Sequence, residues 1–386
     1  MKKILLRAPV FTQSGYGVHS RQIARWLLKR VGRDRLRVQA LSWGMTPWML
    51  DSKDQCIKEL YELLTQTIDT KFDVSIQVQL PSEWDKTLSD VTVGVTAGVE
   101  TDKTPKVWAT ACNAIDHVIV PSVHTLNGLV ASGADKTKIS VVPESFPAAF
   151  LKPLSDNDKV DLRLAPNSFG VLIVGQLTHD APECDRKNIY NTIRWTREAL
   201  INVKNAAIVL KTNRGRNTSI DNFLLRNTLT RFIAEMSPQG PPVHVIHGDL
   251  SDEEMLSIYT NPAIKCYVSL TRGEGFGLPI LEAAACGLPI IATEWSAHTE
   301  YLGQRWIKIN KKLVGIPKSR IDDVIFANGA KWAEPDESNY KQKLLKLIDN
   351  YRMPSDWAAE TKARLHKTHS PIAIEQEWER TIGHLL

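Results

Sequence analysis

The sequence lacks several features that mark special classes of protein. No apolar run approaches the roughly 20 residues needed to span a bilayer. The first fifteen residues contain only three consecutive aliphatic residues before Arg7, which favours a first strand over a signal peptide. The five cysteines are odd in number and form no C-x-x-C pair, which favours reduced thiols over a disulfide framework. We therefore expect a cytoplasmic protein without a transmembrane segment.

Acidic residues are scarce at one end of the chain. Residues 1–40 hold ten Lys and Arg but one acid, so the formal net charge of +5 conceals a net negative remainder. Arg21, Arg25 and Lys29 recur every four residues and fall on one helix face. Such a stripe fits an anionic partner, whether an anionic membrane surface, a phosphodiester backbone or a substrate phosphate. It fits a solvated helix face equally well.

The length and the order of patterns predict two α/β domains. A chain of 386 residues exceeds what one α/β core usually holds. Short β-branched runs alternate with helix-period segments on both sides of a polar linker at 153–159, and such alternation predicts parallel sheets with their ligand crevice at the carboxyl ends of the strands. The predicted strands lie at 4–6, 38–41, 74–78, 91–95, 118–121, 170–175, 207–211, 243–247, 266–270 and 289–293. The predicted helices lie near 18–30, 54–68, 123–132, 188–203, 219–236, 252–260 and 279–286.

The stretch RGEGFGLPILEAAACG (residues 272–287) carries the strongest functional signal. Two acids, Glu274 and Glu282, bracket a glycine-rich turn and the start of a short Ala-rich helix. Pro279 suits the first helical turn and Gly287 the position just past the helix end. The backbone N–H groups of 275–278 then point at whatever lies before the helix, where the helix dipole favours an anion such as a diphosphate.

Glu282 lies one turn inside this predicted helix. A carboxylate at this place can accept two hydrogen bonds from a vicinal diol, such as the 2′ and 3′ hydroxyls of a ribose. The helix dipole alone also favours an acid in a first turn, by about 0.3–1 kcal/mol. That effect explains one exposed acid but not two acids around a glycine turn.

These features resemble those of a known family. The seven-residue spacing of Glu274 and Glu282, with GFGLP between them and ACGLPIIAT around and after the helix end, is similar to the E-x7-E motif of retaining GT-B-fold glycosyltransferases of the family 4 type (glycosyl transferases group 1). Upstream segments that fit the same family are GDLSDEEM (248–255), IVLKT (208–212) and GQLT followed by RKN (175–188). The resemblance implies two facing Rossmann-like, doubly wound parallel-sheet domains: an acceptor-side domain at 1–160 and a nucleotide-sugar-binding domain at 161–370. A helix at 371–386 is expected to cross back to the first domain.

The resemblance also implies roles for residues of the second domain. Glu282 would bind the donor ribose and Glu274 the hydroxyls of the donor sugar. Lys187 would neutralise the diphosphate that leaves, and Arg186 is the candidate for a second cation because Gln176 replaces the arginine common in the family. The remaining implied donor contacts are the backbone N–H groups of Phe276, Gly277 and Leu278, and the side chain of Lys211.

In the first domain the implied site is less sharply marked. Gly15 and Gly17 follow the first predicted strand, in a loop that the family turns toward the donor, although a lone G-x-G is weak evidence. Glu100 stands where related enzymes place a polar residue near the reacting centre. Trp43, Trp48 and Trp84 are candidates for stacking on a sugar or a base, although core packing is the commoner fate of a tryptophan.

No metal and no resident cofactor are expected. Fixed cations and the helix dipole would stabilise the leaving diphosphate in place of a divalent ion. Two decoys resemble metal motifs: the segment HDAPECD (179–185) lies in a proline-containing loop, and the D-x-D at 156–158 lies in the polar linker, where a turn is the better interpretation. The donor substrate would be a UDP-, GDP- or ADP-sugar.

Three hypotheses for the whole protein follow. The first is a retaining glycosyltransferase that moves a sugar to a hydroxyl of a glycan or a lipid-linked acceptor. The second keeps this chemistry but makes the acceptor DNA with a hydroxymethylated base, because the first 40 residues are basic. The third is an inactive GT-B-like binding subunit, against which the joint presence of Glu274, Glu282 and Lys187 argues.

Overall fold

The chain divides into two compact units. The computed structural model describes residues 2–49, 54–65, 71–98, 100–165, 167–236 and 240–386. Unit 1 comprises Met1–Ser145, Ile321–Ala330 and Pro371–Leu386, and unit 2 comprises Phe146–Arg320 and Lys331–Ser370. Residues 146–160, which the sequence placed in the first domain, group with unit 2, because Phe146 and Phe150 are buried in the core of that unit.

Unit 1 is built on a parallel sheet of six strands. The strands are β1 (Ile4–Ala8), β2 (Leu36–Ala40), β3 (Phe72–Val78), β4 (Ser89–Val95), β5 (His117–Val120) and β6 (Ile139–Val141), in the spatial order β2-β1-β3-β4-β5-β6. The helices that precede the second unit are α1 (Gly15–Val31), α2 (Gln55–Glu62), α3 (Lys106–Ala114) and α4 (Val123–Ala131). The sequence predicted neither α3 nor β6, and the last three residues of its predicted helix at 54–68 lie outside the described residues.

Local signals account for both ends of α1. The Ser14 hydroxyl caps the helix by accepting a hydrogen bond from the Gly17 N–H at 2.9 Å, which satisfies one of the donors that a helix start leaves unpaired. The helix ends at Gly32, whose φ of 75° suits glycine. Between these ends, Ile23 and Leu27 are fully buried in the core of unit 1.

Unit 2 repeats the architecture with a second parallel sheet of six strands. Its strands are β7 (Phe169–Val174), β8 (Ala206–Thr212), β9 (Val243–His247), β10 (Ile264–Ser269), β11 (Ile290–Thr293) and β12 (Ile307–Ile309), in the order β12-β11-β10-β7-β8-β9. Its helices up to β12 are α5 (Ile189–Ala199), α6 (Ser219–Glu235), α7 (Asp252–Tyr259), α8 (Leu278–Cys286) and α9 (His298–Leu302). An antiparallel hairpin of β13 (Lys311–Gly315) and β14 (Lys331–Pro335) and the helices α10 (Glu337–Asp349) and α11 (Arg352–Thr368) follow.

Both faces of the second sheet are covered. Val171 and Ile173 of β7 point into one apolar cluster, and Leu172 between them points into the other. A strand buried on both faces reads as a continuous apolar run, which is why FGVLIV and its partners were recognisable in the sequence. The predicted α/β class with two parallel sheets is confirmed.

The last helix, α12 (Pro371–Ile382), belongs to unit 1. Ile374, Trp378 and Ile382 are buried in the core of that unit. On its exposed side, α12 presents acids to the basic helix α1: Lys29 Nζ lies 2.6 Å from Glu375 and Arg30 Nε lies 3.0 Å from Glu379. The positive charge concentrated near the start of the sequence is therefore matched in part by acids near residue 380.

Two further features concern the cysteines and the helices. All five cysteines are free thiols, and three of them are buried. Among the described residues, none of the helices combines the length and the apolar character needed to cross a bilayer.

Candidate functional site

Two loops meet at the carboxyl edge of the unit 2 sheet. β7 and β10 are neighbours, and the order of strands along the sheet reverses between them. The loop at 175–188 leaves the carboxyl end of β7, the loop at 270–277 leaves that of β10, and the Arg272 N–H donates to the Arg186 carbonyl at 2.9 Å. Open parallel sheets bind ligands at such a switch point.

At this point Glu274 forms a buried ion pair. The residue is only 5% exposed to solvent. Lys187 Nζ contacts both carboxylate oxygens, at 2.7 Å and 2.6 Å, and Arg186 Nη1 lies 3.6 Å from Oε2. Burial raises the pKa of Glu274, but Lys187 and Arg186 outweigh burial and hold that pKa below its usual value. The sequence predicted all three residues for the site, and the structure brings them together.

The loop that carries these two cations is held by Asp185. This carboxylate is fully buried and accepts hydrogen bonds from the Thr178 hydroxyl and from the Ile189 N–H, both at 2.7 Å. The first contact fixes the loop, and the second satisfies a donor at the start of α5. Asp185 thus positions Lys187 by accepting hydrogen bonds from residues on either side of Lys187 in the sequence. This role accounts for the last acid of the segment 179–185, which imitates a metal motif.

Arg272 is a functional residue that sequence reasoning missed. It is 3% exposed, and its Nη1 donates to the carbonyls of Pro182 at 2.9 Å and Asp185 at 2.6 Å. Its other nitrogens pair with Glu334 of β14 at 2.7 Å and 3.1 Å, and its guanidinium lies 5.3 Å from the centre of the Trp332 ring. The signal available in the sequence was an arginine in an apolar run. Its partners lie about 60 and 90 residues away, so the sequence alone does not identify them.

The helix α8 begins where the sequence predicted. Gly277 is the N-cap with a φ of 92°, no side chain caps it, and Gly287 ends the helix with a φ of 87°. The Tyr301 hydroxyl donates to the Gly277 carbonyl at 2.8 Å and fixes the turn. The side chain of Phe276 is buried against the Tyr301 ring, so only its backbone can meet a ligand. The N–H groups of 276–278 therefore stand at a helix start without a capping side chain, where an anion is favoured.

A strained residue supports the same turn. Ser296 is buried with a φ of 76°, and its hydroxyl accepts a hydrogen bond from the Glu274 N–H at 2.9 Å. A non-glycine residue in this region costs about 1–3 kcal/mol and tends to occur at functional sites. The sequence carries no local signal for this conformation, because serine rarely adopts it.

Glu282 is half-buried on α8 and has a defined partner. The Tyr259 hydroxyl, at the end of α7, donates to Glu282 Oε2 at 2.9 Å. Burial raises the pKa of Glu282 to about 8, against the opposing effect of the Tyr259 hydrogen bond. Burial also lowers the pKa of Lys211, at the end of β8, to about 8, and Glu282 acts on it in the opposite direction. Lys211 Nζ donates to Asn213 Oδ1 at 2.7 Å.

In unit 1, Gly15 and Gly17 differ in what surrounds them. A Cβ on Gly17 would lie 2.0 Å from the Thr12 carbonyl oxygen, whereas one on Gly15 would meet nothing within 4 Å. Packing thus demands glycine at 17 without any ligand. Between them, the Tyr16 hydroxyl bonds the Thr96 hydroxyl at 2.8 Å and accepts from the backbone N–H of 97 at 3.1 Å, which ties the first turn of α1 to the loop after β4.

Glu100 is half-buried in the loop that follows β4. Burial raises the pKa of Tyr16, and the negative charge of Glu100 acts in the same direction. The structure therefore places Glu100 near Gly15 and Gly17, which lie in the first turn of α1 and not in a loop as predicted. Trp43 also lies there, stacked on Tyr16 with ring centres 3.8 Å apart.

The predicted cationic stripe on α1 has partners within the chain. Arg21 is 9% exposed and donates to the carbonyls of Val10 and Thr12 at 2.9 Å and 2.8 Å. Arg25 pairs with Asp54 at 2.5 Å, and Lys29 pairs with an acid of α12. Arg21 thus supports a loop. The four-residue spacing alone does not reveal that this member of the stripe faces inward.

Neither decoy gathers metal ligands. Within the described ranges, no group of three or more His, Cys, Asp or Glu residues is arranged to hold a metal ion. The segment at 156–158 is a short 3-10 turn whose first residue pairs with Lys159.

The two parallel α/β sheets have the fold of solved GT-B structures. HepE from Anabaena, solved in complex with UDP and glucose, aligns over 100% of both chains with a TM-score of 0.66 at 14% sequence identity. Residues 239–364 match the family model described as glycosyl transferases group 1. The predicted resemblance to that family is therefore confirmed over these residues, most of which lie in unit 2.

Two curated relatives match parts of the chain. The putative glycosyltransferase 45 of a Sulfolobus islandicus filamentous virus is 28% identical over 154 residues, which cover 38% of this chain and 42% of that protein. The MMP alpha-(1->4)-mannosyltransferase of Mycolicibacterium hassiacum is 33% identical over 90 residues, which cover 20% of this chain and 21% of that protein. The chain thus spans less than half of the length of the curated relatives it matches.

Proposed function

We propose that the protein is a retaining glycosyltransferase that moves a sugar from a nucleotide-sugar to a hydroxyl of a glycan or a lipid-linked acceptor. The observation that carries this proposal is the buried Glu274 carboxylate, held by Lys187 and Arg186 beside the uncapped start of α8. A buried acid next to two fixed cations at a switch point suits a ligand that carries both sugar hydroxyls and a diphosphate.

Each part of the donor has a candidate partner. The diphosphate would lie against the N–H groups of 276–278, with Lys187 and Arg186 as counter-charges. Glu274 would accept hydrogen bonds from the hydroxyls of the sugar, and Glu282 from those of the ribose. Lys211 is 7% exposed at the end of the neighbouring strand β8, which suits a further contact to the nucleotide.

The proposed reaction breaks the bond between the anomeric carbon and the diphosphate oxygen. The electron pair leaves with the diphosphate, whose growing charge the cations and the helix start stabilise. The acceptor oxygen attacks the anomeric carbon from the same face, and its proton passes to a leaving phosphate oxygen. Trapping of a covalent glycosyl-enzyme would replace this route by a double displacement.

We propose further that transfer requires no divalent ion, because Lys187, Arg186 and the α8 dipole supply positive charge where the diphosphate departs. Dialysis against a chelator should leave the transfer rate unchanged. Loss of activity that Mn²⁺ restores would overturn this part of the proposal.

The acceptor is proposed to be a glycan or a lipid-linked sugar. The basic stripe that motivated a DNA acceptor is engaged within unit 1, since Arg21 supports a loop and Lys29 pairs with Glu375. Transfer to hydroxymethylated DNA, together with salt-sensitive DNA binding that charge reversal of Arg25 and Lys29 abolishes, would favour the DNA alternative.

The activity is tested in two steps. A thermal-shift screen of UDP-, GDP- and ADP-sugars identifies the donor, and the released nucleoside diphosphate is then measured with and without acceptors. We expect Glu282→Ala to weaken donor binding and Lys187→Ala to slow sugar transfer at least tenfold. Glu360→Ala, which removes an exposed partner of Arg305, serves as the matched control. Unchanged donor affinity and turnover in Glu282→Ala would overturn the ribose role of Glu282, and donor binding without turnover in the wild type would favour the inactive binding subunit.

A further inference from the structure

Tyr259 contacts the carboxylate that is proposed to bind ribose. It is the last residue of α7, is 1% exposed, and packs against the ring of Phe150 with centres 5.9 Å apart. Its hydroxyl reaches across to α8 and donates to Glu282 Oε2 at 2.9 Å. Because the Tyr259 ring is fully buried, its packing fixes the direction in which the hydroxyl points toward the half-buried Glu282.

This contact fixes the plane of the Glu282 carboxylate. The side chain of a glutamate has three rotatable bonds, and anchoring one oxygen to a rigid ring removes most of that freedom. Burial raises the pKa of Tyr259 well above its usual value, so the phenol keeps its proton and remains a donor. A diol needs both hydrogen-bond directions of the carboxylate to be set before it arrives, because specificity comes from pre-organised polar groups.

We propose that Tyr259 is a positioning residue that orients Glu282 toward the vicinal hydroxyls of the donor ribose. The inference rests on the proposed function, since it presumes a nucleotide ligand at α8. It adds that the selectivity for ribose over a sugar without the diol depends on a residue of the preceding helix. The sequence alone does not pair Tyr259 with Glu282, and the structure gives it this contact.

The chain offers a matched control in Tyr267. This residue of β10 is also 1% exposed and belongs to the same apolar cluster as Tyr259. Its hydroxyl lies 3.3 Å from the Val174 carbonyl and does not bond Glu282. Tyr259→Phe and Tyr267→Phe thus delete the same atom from the same core, and only the first removes the contact to the carboxylate.

The experiment compares two ligands on each variant by calorimetry. One is whichever of UDP, GDP and ADP binds the wild type most tightly, and the other is its 2′,3′-dideoxy form. We expect Tyr259→Phe to weaken binding of the ribonucleotide by about tenfold, the scale of a lost hydrogen bond to a charged group, and to leave the dideoxy affinity unchanged. Tyr267→Phe should leave both affinities unchanged.

The remaining outcomes are distinct. Equal losses for both ligands in Tyr259→Phe, or no loss for either, would overturn the positioning role. A Glu282→Gln variant that binds both ligands as the wild type does would instead show that Glu282 does not bind ribose, so the proposed donor assignment would fail. Because the ratio of two affinities is taken on one protein sample, partial unfolding cancels. Tyr259→Met, a second variant without the hydroxyl, should give the same ratio as Tyr259→Phe.

Discussion

Removal of Lys187 should destabilise unit 2 as well as stop transfer. In Lys187→Met, the 5% exposed Glu274 loses two contacts of 2.7 Å and 2.6 Å and keeps only Arg186 at 3.6 Å. Removing one partner of a buried pair costs about 3–5 kcal/mol. Because the second cation remains and the Lys187 side chain is 18% exposed, we expect the low end, about 3 kcal/mol.

The measurement is urea unfolding at pH 8, followed by the fluorescence of tryptophans such as Trp195 and Trp332, which are buried in unit 2. Glu274→Gln should cost less, since it leaves an ammonium that water can reach. The double variant should lose little more unfolding free energy than Glu274→Gln alone. The coupling energy between residues 187 and 274 is then about 2 kcal/mol, within the range for contacting charges.

The stabilising effect of the ion pair between Glu274 and Lys187 should depend on pH. In the wild type the pKa of Glu274 is lowered, so this carboxylate stabilises the fold above its unfolded pKa of about 4.3, and that contribution fades as the pH falls through the folded pKa. In Lys187→Met, burial dominates and raises the pKa, so protonation relieves the penalty. The difference in unfolding free energy between wild type and variant should therefore shrink from pH 8 to about pH 5.

Lys341→Met is the control, because Lys341 also contacts two carboxylates but at a more exposed place. It should cost no more than about 1 kcal/mol. If Lys187→Met unfolds like this control, or if the two substitutions at 187 and 274 are additive, the ion pair does not stabilise the site and the reasoning is refuted.

Three further predictions concern other parts of the chain. Gly17→Ala should lower the melting temperature strongly, because its Cβ would meet the Thr12 carbonyl oxygen at 2.0 Å, whereas Gly15→Ala should not; equal melting of the two would contradict the packing argument. Because burial raises the pKa of Glu282 to about 8, calorimetry should show the ratio of the wild-type to the Glu282→Gln affinity for a nucleoside diphosphate rising from about pH 7 to pH 9, whereas the loss of charge at Lys211, whose pKa burial lowers to about 8, acts in both proteins. Arg272→Lys keeps the charge but loses the planar fork, so assays of sugar transfer should show at least a tenfold lower rate; an unchanged rate would show that the lysine holds the loop equally well.

Much of the fold could be predicted because the second sheet is buried on both faces. Apolar runs such as that of β7, separated by helix-period segments, allow few interpretations other than a parallel sheet. The short helix α8 was equally clear, since Pro279 and Gly287 mark its two ends. The weaker elements escaped: β6 has three residues, and β13 alternates poorly, with exposed Lys312 and Leu313.

The site could be predicted only where its residues are close in sequence. Glu274 and Glu282 share one motif, and Lys187 was assigned through family resemblance. The support from Arg272, Tyr259 and Ser296 depends on contacts that cross 22 to 90 residues, and no local pattern encodes them. The partners of the cationic stripe on α1 could not be predicted for a related reason, because charge counts do not show that Lys29 lies beside an acid 346 residues away.

The place of α12 in unit 1 bears on how the chain folds during synthesis. Ile374, Trp378 and Ile382 complete a core whose other members lie between residues 4 and 142. A ribosome makes the whole sequence of unit 2 before it reaches these three residues. Part of the apolar surface of unit 1 therefore stays exposed until these residues are made. Contacts of such long sequence separation also form slowly. A nascent chain halted near residue 370 should accordingly protect unit 2 from proteolysis before unit 1.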